Sequence, residues 1–499
     1  MASIIRASLF LLIWSCSLEN KQNPVTDLPV HEDWLYQADS LLMPYWMTEE
    51  ALGSPAGQFN TYRTNNGEVI SPGAYDYNLI PEYIREYIVT GNDRLLRQFV
   101  RMISRQINAY CIAFHMTGNE SYLTNAKIGL DYLIANNVFA NNSAVTFFKD
   151  GVAYPKPPQR TVQDLAYALL GPSVYYYITR DPEILALILP IKRQIIENYF
   201  NNSDLSGKSK IMKWTLRDFE ADSAHYMNLL APMDMINAHL LLMVKTVPDS
   251  LEEEYRMDLK NLAYSIKDNF YNEWSNSFLG NLNQKTVFAG SSDLGHSIKN
   301  FWMLYLNGEL LADEELSTFA YSNGTKLLET SYIENLGRWG SIFQDSSKRI
   351  DPNILSWQYA EFDQTSITFS LVDRTIYDRY LKSTFMVWFE NLIDHEDKEI
   401  HWGLNEKNEP HSLGFKIGMW KNGFHSMEHA LIGLIGTAAY YEQPLSLYFY
   451  LDSSIDPNKT VLDPYYFKAK ESERKLVTPN ADRQSSRGQT VEVIYTGVH

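Results

Sequence analysis

Polar side chains interrupt otherwise apolar helical stretches at five places in this sequence. Arg105-Gln106 lies in Arg101-Met-Ile-Ser-Arg-Gln-Ile-Asn-Ala-Tyr110, and Asn237 and His239 lie in Met235-Ile-Asn-Ala-His-Leu-Leu-Leu-Met243. His296 lies in Asp293-Leu-Gly-His-Ser-Ile-Lys-Asn-Phe-Trp302, Trp357 and Glu361 lie in Ser356-Trp-Gln-Tyr-Ala-Glu361, and His425 follows Trp420-Lys-Asn-Gly-Phe. A single histidine on an apolar face is more often a core group with its hydrogen bonds satisfied than a functional one. Here every instance falls near the start of a helical run. If those starts meet at one end of a bundle, their free N–H groups and dipoles favour an anionic intermediate.

The elements that must position these groups are helices. Ile103, Ile107, Tyr110, Cys111 and Phe114 recur at spacings of three and four, which places them on one helix face. Similar runs occupy 183–200, 227–246, 252–272, 295–309, 313–330, 357–371, 376–392 and 425–441. Thr90-Gly-Asn-Asp93, Thr117-Gly-Asn-Glu120 and Thr179-Arg-Asp-Pro182 separate periodic segments. In the first two, Gly can end one helix in the left-handed conformation while Asn caps the next. In the third, Asp caps and Pro takes the first helical position. The pattern predicts about twelve helices in antiparallel hairpins, as an α-solenoid or a closed double ring; no fixed-period repeat of the solenoid kind is present. Connections at 55–77, 138–160, 335–356 and 399–420 carry aromatics and glycines and read as loops walling a pocket.

Composition narrows the partners. The formal net charge of −17 repels phosphate backbones, so nucleic acid is not expected. The 11 Trp and 33 Tyr suit stacking on the C–H faces of sugars, although most of them are expected in the core. Of the two cysteines, Cys16 lies in an N-terminal segment and Cys111 on an apolar helix face, so the body can form neither an internal disulfide nor a cysteine zinc site. Arg6 followed by the short apolar run Ala7 to Trp14 reads as a targeting segment, and Ile13-Trp14-Ser15-Cys16 resembles the box before a lipidated cysteine. The resulting division is a signal segment at 1–16, a polar tether at 17–32, a helical body at 33–455 and a polar C-terminal tail at 456–499. The expected location is periplasmic or outer-membrane-anchored through Cys16, or otherwise secreted.

Taken in order, the motifs resemble the N-acylglucosamine 2-epimerase and cellobiose 2-epimerase superfamily. Ser104-Arg-Gln-Ile-Asn-Ala-Tyr110 with Thr117-Gly-Asn-Glu-Ser-Tyr-Leu123 and Gly129-Leu-Asp-Tyr-Leu133 is similar to its second and third helices. Asn237-Ala-His239 is similar to its Asn-x-His helix start, and Gly295-His-Ser-Ile298 to its Gly-His-x-Ile-Glu motif. Trp357-Gln-Tyr-Ala-Glu361 is similar to Trp-x-x-Ala-Glu, and Trp420-Lys-Asn-Gly-Phe-His425 to its terminal Trp-Lys-x-x-Tyr/Phe-His. The resemblance spans about 80–450. It implies an all-α (α/α)6 barrel with a pocket at one end, acting at C2 of a reducing saccharide as a 2-epimerase or aldose–ketose isomerase. It further implies His296 and His425 as the acid/base pair and Arg105 as the group that binds the sugar oxygens and stabilises an enediolate. Asn237, His239, Trp357, Glu361, Lys299 and Trp420 would line the substrate site, with no cofactor or metal required. The residue types suit the task, because a proton next to a carbonyl needs a base with a pKa near ambient pH and the enediolate needs a permanent cation.

One departure stands out. Lys299 occupies the place of the motif's Glu, on the same helix face as His296. An ammonium there would lower the imidazole pKa where a carboxylate would raise it. Two other readings follow from this departure. One is a glycoside hydrolase or lyase on the same barrel, for which Glu361, Asp218 and Asp363 are the candidate carboxylates. The other is a saccharide-binding lipoprotein without catalysis. Glu428 and His429, one turn beyond His425, read as supporting or structural groups.

Overall fold

The computed structural model describes residues 28–70, 93–154, 161–201, 209–215, 228–282, 294–341, 349–411, 414–477 and 488–499. The expected signal segment with Cys16, most of the tether, the turn at 90–92, Asp218 and parts of the four long connections lie outside these residues.

The periodic segments fold as helices close to where the pattern places them. Val100–Thr117, Val162–Thr179, the run 230–243, Leu294–Leu311, Ser356–Ser370 and Gly423–Tyr440 form an inner ring. Each packs against the next except at the third-to-fourth step, where the contact is slighter, and Gly423–Tyr440 closes on Val100–Thr117. Between the third and fourth, Asn300 of Leu294–Leu311 reaches the Met233 sulfur at 3.4 Å. These helices are buried nearly all round, as inner-ring helices must be. The outer ring is amphipathic and comprises Glu120–Ala135, 182–201, Asp249–Phe270, Glu314–Ser331, 377–392 and the N-terminal run 31–46. This is an (α/α)6 barrel, and among the described residues no helix is long and apolar enough to cross a membrane.

The hairpin turns show the capping chemistry that fixes this alternation. Gly118 ends its helix at φ +71°, and the Asn119 side chain accepts from the Ser121 amide at 3.1 Å to start the next. At the following turn Arg180 takes the left-handed position, Asp181 accepts from the Glu183 amide at 2.9 Å and Pro182 opens the helix.

The C-terminal segment differs from a polar tail. Leu445–Asp452, Gly488–Thr496 and Lys470–Leu476 form an antiparallel sheet with Gly488–Thr496 in the middle. The 455/456 division therefore cuts through one structural unit. Along Leu445–Asp452, burial alternates with period two; Leu445, Leu447, Phe449 and Leu451 face the barrel. Phe449 meets His115 edge-on at 4.8 Å, and Tyr448 covers Gly118, where a β-carbon would stand 2.7 Å from its ring. The other edge of the sheet, Lys470–Leu476, is exposed and charged, which discourages pairing with another chain.

Candidate active site

Arg105, His296, Lys299, Trp357, Trp420 and His425 line one cavity of about 320 Å³, although they come from four helices and one connection far apart in sequence. Gln163, Tyr167, Asp234, Trp402 and Lys421 complete much of its wall.

Each group is held by local structure. His425 sits in the first turn of Gly423–Tyr440, whose cap is Asn422: its Oδ1 accepts from the Phe424 amide at 3.2 Å. The Asn422 amide nitrogen donates to the Met102 carbonyl at 3.0 Å, tying that helix start to the helix carrying Arg105. Arg105 donates to the Trp420 carbonyl at 2.8 Å, and its guanidinium carbon lies 4.0 Å over the Tyr167 ring. Trp420 is half exposed at the mouth, with the Arg101 guanidinium 4.3 Å from its ring centre. Arg101 is itself paired with Asp164 at 3.1 Å. His296 and His425 both approach one indole: the Trp357 ring is 4.7 Å from the first and 6.0 Å from the second. Gly295 permits this packing, since a β-carbon there would come within 2.9 Å of the indole.

Beneath the cavity lies a buried charge chain. Glu361 Oε1 is 2.6 Å from Lys299 Nζ and 3.5 Å from His425 Nε2, while Glu361 Oε2 accepts from Trp302 Nε1 at 2.8 Å. Burial would raise the Glu361 carboxyl, but Lys299 and His425 hold it down at about 2. Burial works equally against the Lys299 ammonium, and the Glu361 charge leaves it raised nonetheless. For His425, burial is the largest influence and lowers it to about 4; Lys299 and Arg105 add to this, and Glu361 opposes it. The imidazole is therefore neutral at pH 7, but a weaker base than one with the near-ambient pKa expected from the sequence. Lys299, the helix neighbour of His296, pairs with Glu361 and through it reaches His425.

Several expectations are corrected. His239 does not line the cavity: it is enclosed between Ser173 Oγ, 2.7 Å from Nδ1, and Tyr255 OH, 3.1 Å from Nε2. Burial drives it to about 3, so it is a neutral core histidine. Asn237 also lies off the cavity wall, fully buried, and neither of its amide atoms has a partner among the described residues. Glu361 is not a wall residue either; it sits under the floor, paired as above. Asp363 faces another way, accepting from Trp339 Nε1 at 2.8 Å and lying 2.9 Å from His429 Nε2, with Trp388 stacked on that imidazole at 3.7 Å. It is unavailable as a hydrolytic carboxylate. His429 consequently faces away from Glu428, which accepts from Tyr465 OH at 2.8 Å.

The wall also contains Asp234, which lies in no motif, and Lys421, the lysine of the terminal motif, neither of which is among the expected site residues. Asp234, buried in an apolar stretch, accepts from Gln163 at 2.8 Å and Tyr167 at 3.2 Å. Lys421 donates to the carbonyls of Ile400 and Lys416 at 3.0 and 2.9 Å, and burial lowers its ammonium to about 8. A carboxylate inside Pro232-Met-Asp-Met-Ile236 was the available sequence signal for the first, and adjacency to Trp420 for the second.

A closed ring of helix hairpins thus gathers imidazoles, a guanidinium and three indoles around one cavity. Sequence and structure comparisons find this chain similar to cellobiose 2-epimerases and to a D-mannose isomerase. The chain is 23% identical over 354 residues to a cellobiose 2-epimerase of Ruminococcus albus, covering 67% of this chain and 86% of that protein. The fold matches the cellobiose 2-epimerase of Spirochaeta thermophila with a TM-score of 0.64 at 15% identity, over 83% of this chain and 97% of that one. It also matches a D-mannose isomerase with a TM-score of 0.62 at 17% identity, over 81% and 96%. No family model matches the sequence.

Proposed function

We propose that this protein is a carbohydrate epimerase or isomerase that moves a proton at C2 of a reducing saccharide, with His296 and His425 as the acid/base pair. The observation that carries the reading is the shared cavity of Arg105, His296 and His425, with Trp357 in ring contact with both imidazoles. Relatives named as a cellobiose 2-epimerase and a D-mannose isomerase support the reaction class.

The chemistry follows from the groups. With the sugar in its open-chain form, one neutral imidazole takes the proton from C2. The electron pair moves into a C1–C2 double bond, and the negative charge rests on the former carbonyl oxygen. Arg105, permanently charged, stabilises that oxygen. The other histidine, in its protonated form, returns a proton to the opposite face of C2 for epimerisation; return to C1, with the O2 proton passing to O1, gives the ketose. Trp357, Trp402 and Trp420 offer aromatic faces to the sugar's C–H groups, and Asp234 and Gln163 offer acceptors and a donor to its hydroxyls.

Incubation of the protein with reducing disaccharides in heavy water tests this. Deuterium at C2 is expected; glycosidic cleavage without exchange would favour a hydrolase or lyase, and binding with neither would leave a saccharide-binding protein. The exported location belongs to the same proposal, with lipid on Cys16 or cleavage near it. The mass of the mature chain decides that point.

A further inference from the structure

The C-terminal segment reaches the underside of the cavity floor. Tyr465 and Tyr466, in the stretch joining two strands of the C-terminal sheet, are buried inside the barrel. Tyr465 OH donates to Glu428 Oε1 at 2.8 Å, Tyr466 OH lies 3.3 Å from the same oxygen, and the two hydroxyls are 3.2 Å apart. Glu428 is one helical turn beyond His425 on the same inner helix. The Tyr466 ring also packs on Trp302 with centroids 5.7 Å apart, and Trp302 donates to Glu361, the carboxylate facing His425. Tyr177 anchors the insertion from the barrel side: its hydroxyl donates to the Asp463 carbonyl at 2.7 Å and accepts from the Tyr465 amide at 2.8 Å.

We infer that Tyr465 and Tyr466 are positioning residues for the C2 chemistry: the C-terminal module completes the active site from below by holding Glu428 and, through Trp302, the Glu361 carboxylate that orients His425. The inference rests on the proposed function for its catalytic consequence, but the arrangement of the carboxyls stands apart from it. Glu361 acts on Glu428 from the adjacent inner helix and Lys299 from the one beyond it, Tyr465 and Tyr466 from the C-terminal segment, and His425 shares its helix. Burial raises Glu428 to about 7, Glu361 adds to the rise, and Lys299 with the two hydroxyls pulls it back. Glu428 thus changes charge close to neutrality, behind the Lys299–Glu361 pair. Removing the hydroxyls raises it further, so it keeps its proton to higher pH.

The test uses the full chain as wild type, Glu428→Gln, the double variant Tyr465→Phe/Tyr466→Phe, and Tyr448→Phe as a control on the outer face of the same module. Two readouts are followed against pH: the protonated-carboxyl infrared band, and deuterium exchange at C2 of cellobiose. In wild type a carboxyl band should titrate near pH 7, be absent in Glu428→Gln, move up by about one unit in the double variant, and stay in place in Tyr448→Phe. The exchange–pH profile should move in the same direction in the double variant only, with thermal stability largely kept because the rings remain. A band and profile unmoved by loss of both hydroxyls would overturn the inference. If wild type exchanges no sugar, the proposed function fails, while the infrared band still decides whether the module controls Glu428.

Discussion

Lys299 Nζ lies 2.6 Å from Glu361 Oε1, both side chains are buried, and the same carboxylate oxygen faces His425 at 3.5 Å. The lysine that departs from the Gly-His-x-Ile-Glu pattern is therefore the counter-charge of the Trp-x-x-Ala-Glu carboxylate. Without Lys299, Glu361 would be a buried anion with only an uncharged imidazole and an indole N–H for company.

Breaking this pair is expected to be costly. Lys299→Met should lower unfolding free energy by about 3–5 kcal/mol, because a lone buried charge remains. Lys299→Glu should be at least as damaging, since it places a second carboxylate against the first. Lys299→Met combined with Glu361→Gln should recover part of the loss. Urea denaturation measures all three, and a Lys299→Met protein within 1 kcal/mol of wild type would contradict the pairing.

For catalysis, His296→Ala and His425→Ala should each reduce C2 deuterium exchange by about 10²–10⁴-fold while leaving the fold intact. Exchange in heavy water and circular dichroism read the two effects separately. Near-full turnover in either variant would show that the acid/base assignment is wrong.

The pH dependence has a definite sign. His425 is lowered from 6.5 to about 4, so its imidazole stays neutral down to that pH and loses its ability to accept a proton only below it. The acidic limb of kcat/KM should therefore lie near pH 4 rather than near 6.5. The unfolded chain binds this proton more readily between those values. The contribution of His425 to stability thus falls as pH drops from 6.5 towards 4 and is complete above 6.5. An acidic limb centred near 6.5 that His425→Gln removes would refute the lowered value.

His239 should behave as a core residue. His239→Ala removes a partner from Ser173 and Tyr255 and should cost about 1–3 kcal/mol, with kcat and KM of the folded protein close to wild type. A tenfold rise in KM with an unchanged melting temperature would return this histidine to the substrate site.

Local chemistry determined a good deal of this protein. Three-and-four spacing placed the inner helices, and a capping Asn or Asp beside a residue able to adopt a left-handed turn placed the hairpins, because both signals depend only on neighbours in the chain. The ordered motifs also identified Arg105, His296, Trp357 and His425, which the ring brings to one cavity. Only tertiary structure decided which way the remaining polar groups turn. His239 and His425 look alike in sequence, yet one is sealed between Ser173 and Tyr255 and the other opens on the cavity. Glu361 and Asp363 are two residues apart and serve different partners, Lys299 and His429, on different sides of their helix. The role of 445–499 was hidden for the same reason: a strand's partner and a tyrosine's buried acceptor lie tens to hundreds of residues away, and no local pattern encodes contacts at that distance.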